Sequence, residues 1–503
     1  MAASLALAGA ALSQAPAQAA AATLTEVSSP RIIQRASAAT WTFTTNPSGA
    51  AGQVTLTLTP LTVPGETLAA TVRTGSRSVT VAANTLQPGY YDVTAAFPEA
   101  DTWTGSLVVV DGTVAQEARM GMDTQMSWDA IDCSTALGCR DTKDETIKWE
   151  GPNMPARTQW AIELMQLMGI GSVRDRQEWT CGSWVRPAAR YMSQFLHGAG
   201  FNVDVNTAWS ANCEDGSVPN FDRVPLDYDT VYQWGYEFAT QHGANVNSVE
   251  YGNESVGATS HGGWPFQYAS GLKAFSAGVK SVNPNIKILT AAGLSDYWRW
   301  DWSLLFEQEA LANGTANDFD VRNMHVYPSG LATIADAPYG YSATASYTQL
   351  DQAAGIGGKG VWLTETGYNL KSQPMAIAEV EQAAYMIEAY TLGFASGFER
   401  IYPYILHSAD DCGSNVGCHN SYGLTRNALD SEWLDGLTQD MSPRPAIASI
   451  AALSRLIQGR AVEQVERTST GATVYFAGNV AVTWDSSRPL SAYGNVSAKN
   501  MYG

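Results

Sequence analysis

The chain of 503 residues is short of charge, with Asp, Glu, Lys and Arg together at 15%, and shorter still of basic charge: 29 Lys and Arg stand against 48 Asp and Glu, a net charge of −19. Nucleic-acid affinity comes mainly from Lys and Arg neutralising phosphates, so no nucleic-acid partner is expected. No stretch approaches eighteen uninterrupted apolar residues, so no membrane insertion is expected and the protein should be soluble. A G-x-S-x-G elbow and an H-E-x-x-H zinc helix are both lacking, which disfavours serine-hydrolase and zincin chemistry, although triads and metal sites can also assemble from distant residues. The cysteines number only six and have no C-x-x-C spacing, so a structural metal is not expected either.

What is present is apolar and aromatic. Apolar residues make up 45%, enough to bury a large core and to expect two or three domains. The 16 Trp and 22 Tyr suit stacking on neutral polar ligands, and equally the packing of an aromatic-rich core.

Residues 1–23 are almost entirely Ala, Leu, Gly, Ser and Gln, with an apolar run from Leu5 to Leu12 and a small-residue site at Ala17-Gln18-Ala19. This reads as the rear of a secretory signal, with the mature chain starting near Ala20 and a secreted, bacterial protein as the consequence. In an exported chain the cysteines default to disulfides, and they fall as three close couples, Cys133 with Cys139, Cys181 with Cys213 and Cys412 with Cys418, one pairing among fifteen.

From residue 24 to 117 short alternating runs such as 53-QVTLTLTPL and 106-SLVVVDG, separated by Gly, Pro and Asn, predict a β-sandwich without a chemical motif of its own. From 118 to 460, strand-like runs alternate with helical ones: 119-RMGMD, 169-GIGSVRD, 201-FNVDVN, 246-VNSVEYGN, 286-IKILTAAG, 319-FDVRNMHVY, 360-GVWLTETG and 400-RIYPYIL, with 444-RPAIASIAALSRLI as the last helix. Eight such units predict an α/β fold, a (β/α)8 TIM barrel. The rival, a doubly wound open sheet, would place a glycine-rich phosphate turn after its first strand, and none is there. Residues 461–503 hold further strands, 461-AVEQVER, 472-ATVYFAG and 480-VAVTWD, which either pair with the N-terminal region or belong to a small β-domain.

In a barrel the chemistry sits at the C-terminal ends of the strands. Strand four ends in 251-YGNE and strand seven in 364-TETG, and Glu254 and Glu365 are 111 residues apart. That is about 37 residues per βα unit over three units, an ordinary length for this architecture. Two carboxylates across one mouth suit glycosidic cleavage, in which one protonates the leaving oxygen and the other attacks the anomeric carbon. A single glutamate at a strand end is more often solvated or ion-paired; the pair is the signal. Arg176 shares the side-chain facing of Arg174 and is its alternative, His325 can equally be a hydrogen-bonded core histidine, and Tyr327 can equally be packing. Trp298, Trp300 and Trp302 alternate in 297-YWRWDW, and with Trp179 and Trp209 they either stack on sugars or seal loops onto the barrel.

The segments 251-YGNE and 362-WLTETGY, with 173-VRDRQEW on strand two and 325-HVY on strand six, resemble the signatures of retaining glycoside hydrolases of the 4/7 barrel clan, clan A, and most of all family 39. The resemblance spans roughly residues 119–460. It implies Glu254 as general acid/base, Glu365 as nucleophile, Asn253 on the sugar 2-OH, Arg174 orienting Glu365, and His325 and Tyr327 lining the same mouth. It implies a poly- or oligosaccharide substrate and no cofactor. Family members often carry a Trp after strand eight, where this chain has His407. A non-catalytic carbohydrate-binding protein and a transglycosylase are the competing functions.

Overall fold

The computed structural model describes residues 23–46, 54–61, 70–74, 78–97, 100–126, 156–180, 183–184, 187–210, 227–254, 264–294, 300–327, 342–370, 377–407, 422–426, 439, 441–468, 471–484, 497 and 499–501. Residues 1–22 of the expected signal segment, all six cysteines and Trp298 lie outside the described residues, as do the side chains of Trp179, Trp209, Trp300 and Trp302.

Eight parallel strands close on themselves. In order they are Glu117–Asp123, Ile170–Thr180, Asn202–Ser210, Ser248–Tyr251, Lys287–Leu289, Val321–Val326, Gly360–Thr366 and Arg400–Pro403, referred to below as strands one to eight. Each pairs with the next, and strand eight returns to strand one through Ile401 and Met120. Helices Ala156–Met168, Pro187–Gly198, Tyr228–His242, Pro265–Val282, Trp300–Ala312, Ser342–Ala353, Glu379–Ala395 and Pro445–Ile457 alternate with them. This is the expected (β/α)8 barrel. The run 355-GIGGKG has G-x-G-x-x-G spacing but leads from a helix into strand seven, the reverse of a phosphate-binding strand-to-helix turn.

The period of two along each strand separates two environments. Val173, Val203, Val205, Val249 and Tyr251 join the cluster that packs on the helices, including Trp234, Phe238 and Phe275. Their neighbours Arg174, Asp204, Asn206, Ser248 and Glu250 point the other way, into the barrel, and are buried there. Part of the barrel interior is apolar, with Leu289, Val321, Trp362 and Tyr402 forming a separate cluster. Each such large side chain contributes roughly 1.5–3 kcal/mol by leaving water. Behind strand four, the helices Tyr228–His242 and Pro265–Val282 meet backbone to backbone. A Cβ on Gly278 would lie 2.2 Å from the Tyr232 carbonyl, and one on Gly235 2.4 Å from that of Phe275.

The N-terminal strands make two sheets, one of Thr23–Ser28, Ala39–Asn46 and Ser78–Val81, the other of Ile32–Gln34, Val54–Pro60, Ala70–Thr74, Gly89–Phe97 and Ala100–Val110. Trp41, Phe43 and Val79 from the first share a core with Leu56, Leu58, Val93 and Trp103 from the second, which makes the pair a sandwich. At the other end, Val462–Thr468, Gly471–Phe476 and Val480–Thr483 form an antiparallel sheet of their own. Ala472, Val474 and Phe476 bury against the barrel's outer cluster. Among the described residues these strands do not pair with the N-terminal region, one of the two arrangements the sequence allowed; their apolar face is covered by the barrel instead.

Candidate active site

Arg174 on strand two is the hub of the barrel mouth. Its side chain is 2% exposed, and all five of its N–H donors are engaged. Nε and Nη2 grip the two oxygens of Glu250, each at 2.8 Å. Nη1 donates to Asp123 Oδ2 and to Glu365 Oε1, both at 2.6 Å, and Nη2 reaches Asn253 Oδ1 at 3.3 Å. Glu365, on strand seven, has its second oxygen held by the Tyr327 hydroxyl at 2.6 Å.

Strand four ends in a sharp turn, with Gly252 at φ +89° and Glu254 itself at φ +50°. A left-handed non-glycine residue costs roughly 1–2 kcal/mol, so the turn that carries Glu254 into the mouth is strained. Glu254 is the more open of the two glutamates, its side chain 27% exposed against 9% for Glu365. Its Oε1 lies 2.8 Å from Nδ1 of the buried His325. Nε2 of the same ring is 3.1 Å from the Thr364 hydroxyl, whose own hydrogen goes to Asn323 Oδ1. Thr364 therefore accepts from Nε2–H, and the Nδ1 contact with Glu254 carries one shared proton: on the carboxyl when the ring is neutral, on the ring when it is charged. One atom each from Glu254, His325 and Glu365 lie within 4.8 Å of one another. These are also the atoms that could hold a cation.

Electrostatics divides the carboxyls. Burial pushes Glu365 up, but the charges of His325 and Arg174 and the Tyr327 hydrogen bond pull it further down, to about 2, so it is ionised. Burial outweighs Arg174 at Asp123, and with the Glu365 charge nearby its carboxyl rises to about 7. Glu250 is also depressed, burial being outweighed by its fork with Arg174. His325 is raised: burial opposes its charge, while Glu365 and the hydrogen bond to Glu254 favour it.

Of the residues singled out from sequence, Arg174, Asn253, Glu254, His325, Tyr327 and Glu365 converge on this mouth. Trp179 ends strand two with its backbone opposite Trp184 and Trp209. Arg174 carries the contacts to Glu250 and Glu365. His407 is buried, its Nδ1 2.9 Å from the Thr425 hydroxyl. Beyond strand eight, Tyr404 and Tyr422 pack edge-on to Tyr327, with ring centroids 6.0 and 5.4 Å away. Asp123, Asn206 and Glu250 were not anticipated. Their signal was a polar residue at alternate positions inside an apolar strand, as in 203-VDVN and 249-VEY.

No protein-family model and no curated protein matches the chain. Among solved structures, a family 39 glycoside hydrolase from the gut symbiont Bacteroides cellulosilyticus WH2 superposes with a TM-score of 0.66 at 16% identity, covering 91% of this chain and 88% of that one. An exo-beta-1,4-mannosidase from Opitutaceae bacterium strain TAV5 follows at a TM-score of 0.44 and 13% identity, covering 68% of this chain and 61% of its own. The chain has the fold of a family 39 glycoside hydrolase, the fold its strand-end motifs resemble.

Proposed function

We propose that the chain is a secreted retaining glycoside hydrolase of the family 39 type, cleaving O-glycosidic bonds of a poly- or oligosaccharide through a covalent glycosyl-enzyme intermediate. The observation that carries this reading is the approach of Glu254 and Glu365 to within 4.8 Å across one mouth. Retaining glycosidases hold their carboxyls at about 5–5.5 Å, whereas inverting ones leave roughly 6.5–9.5 Å for a water. The Ala-rich residues 1–23 support export.

In the first step ionised Glu365 attacks the anomeric carbon, and Glu254 gives the leaving oxygen the proton it shares with His325. The ester formed at Glu365 no longer carries charge. In the second step Glu254, now a base, takes a proton from water; the water oxygen bonds to the anomeric carbon and Glu365 leaves as carboxylate. Asn253, held by Arg174, faces the sugar 2-OH, and Tyr327 and Arg174 each fix one oxygen of the nucleophile.

A panel of aryl glycosides and polysaccharides tests this against the wild type, Glu254→Gln and Glu365→Ala. Glu365→Ala should lose detectable turnover and recover part of it with azide, as a glycosyl azide; Glu254→Gln should lose about 10²–10⁴-fold on substrates with poor leaving groups. A wild type that binds glycans without turning any over would favour the carbohydrate-binding reading. Transfer to added acceptor sugars in preference to water would make the chain a transglycosylase.

A further inference from the structure

We propose that Glu250, which substrate does not reach, is a positioning residue that sets the plane of the Arg174 guanidinium and, through it, the placement of Glu365 and Asn253 together. Resting on the reading of Glu365 as nucleophile, this adds a residue four positions before Glu254 to the machinery.

Charge balance does not explain Glu250. Arg174 already faces the ionised Glu365 on Nη1, with Asp123 beside it, so the charge of Glu250 is surplus as a counter-ion. What Glu250 contributes is geometry. A guanidinium held through Nη1 alone can swing about its contacts, or turn to meet Glu365 with both prongs. The two-point grip of Glu250 on Nε and Nη2 removes that freedom. The remaining donors then aim in fixed directions, Nη1 at Glu365 and the second Nη2 hydrogen at Asn253.

Glu250 is itself braced. Asn206 Nδ2 donates to its Oε2 at 2.6 Å and to the Gly252 carbonyl at 3.1 Å, tying the carboxylate to the turn that carries Asn253 and Glu254. Asp204, the other carboxyl beside it, is pushed well above its usual value by burial and by the Glu250 charge, so Glu250 is the one that carries the charge. With its side chain fully buried, Glu250 acts through the groups it holds, Arg174 above all.

The test is a double-mutant cycle of Glu250→Gln and Arg174→Lys, using an aryl glycoside that the wild type cleaves, with the crystal structure of Glu250→Gln. A misplacement of about 1 Å costs on the order of 100-fold, so Glu250→Gln should lower kcat about that much and move KM less than about threefold. In the Arg174→Lys background the same change should cost less than about threefold more, because the fork is already gone. In the crystal the guanidinium should turn and the Nη2 contact with Asn253 open. Asn206→Ala, which leaves every charge in place, should lower kcat in the same direction by less, and serves where Glu250→Gln folds poorly. An unchanged kcat in folded variant, losses that multiply in full, or a guanidinium unmoved in the crystal each overturn the proposal. A wild type inactive on every glycoside overturns the hydrolase reading instead, and the crystal structure still decides the positioning role.

Discussion

Arg174 is a single cation asked to serve three carboxylates in a site from which water is nearly excluded. Breaking one arm of such a network costs roughly 3–5 kcal/mol, because the partner left behind stays buried and charged. The protein limits that hazard at Asp123 by letting the carboxyl keep its proton up to about pH 7, whereas Glu365 next to it, with His325 and Tyr327 added, stays ionised down to about pH 2. The sign of the consequence follows from linkage. A carboxyl raised from 3.8 to about 7 on folding stabilises the fold fully below about pH 4, and that stabilisation is lost as the pH climbs towards 7. Asp123→Asn removes the titration while keeping the shape. Urea melts at pH 4, 5.5 and 7 should therefore show the wild type losing ground to Asp123→Asn step by step as the pH rises. A gap that stays constant across that range would mean that Asp123 is ionised throughout.

At the scale of elements, strand four and its two flanking helices decide where Glu254 goes. Glycine at 235 and 278 lets those helices touch through their backbones, and a side chain at either place must push them apart. Gly278→Ala should cost about 1–3 kcal/mol of overpacking, offset only in part by the better helix propensity of Ala, with a lower thermal midpoint as the readout. An unchanged midpoint would show that the helix pair yields freely. The same strand shows what could be read in the sequence. Its outward residues Val249 and Tyr251 and its terminal Asn-Glu were legible, since period-two burial and strand-end position both leave local marks. Glu250 carries no such mark of function, because a lone acid between two apolar residues looks like any solvated strand position, and only barrel closure turns it inward. Asp123 and Asn206 were hidden for the same reason. Arg174 could be separated from Arg176 only by motif, as the two share a face, and no pattern in the chain announces that Tyr404 and Tyr422 fill the wall beside Tyr327.

At the scale of the whole molecule, a buried arginine is among the ties between the sandwich and the barrel, beside Ser106 on Ser442 and the apolar contacts of Ile32, Tyr90 and Val108. Arg426 donates to the Tyr90 hydroxyl at 3.0 Å and lies 3.4 Å from the Ser106 hydroxyl on the sandwich side, and on the barrel side it pairs with Glu379 at 2.5 Å and reaches the Pro443 carbonyl at 3.1 Å. Arg426→Met should lower stability by roughly 3–5 kcal/mol while the folded protein keeps its kcat, since the tie lies outside the mouth. Equal stability of variant and wild type would make the contact ornamental. The alternating strand pattern and the strand-end glutamates made the barrel legible, but this tie was not, because its partners lie more than 300 residues apart in sequence. The separation of the two glutamates carries a stereochemical consequence that proton NMR reads directly. Following hydrolysis of an aryl glycoside from the first seconds, the anomeric signal that appears first should be that of the sugar with the same configuration as the substrate. First appearance of the opposite anomer would contradict a direct attack by Glu365.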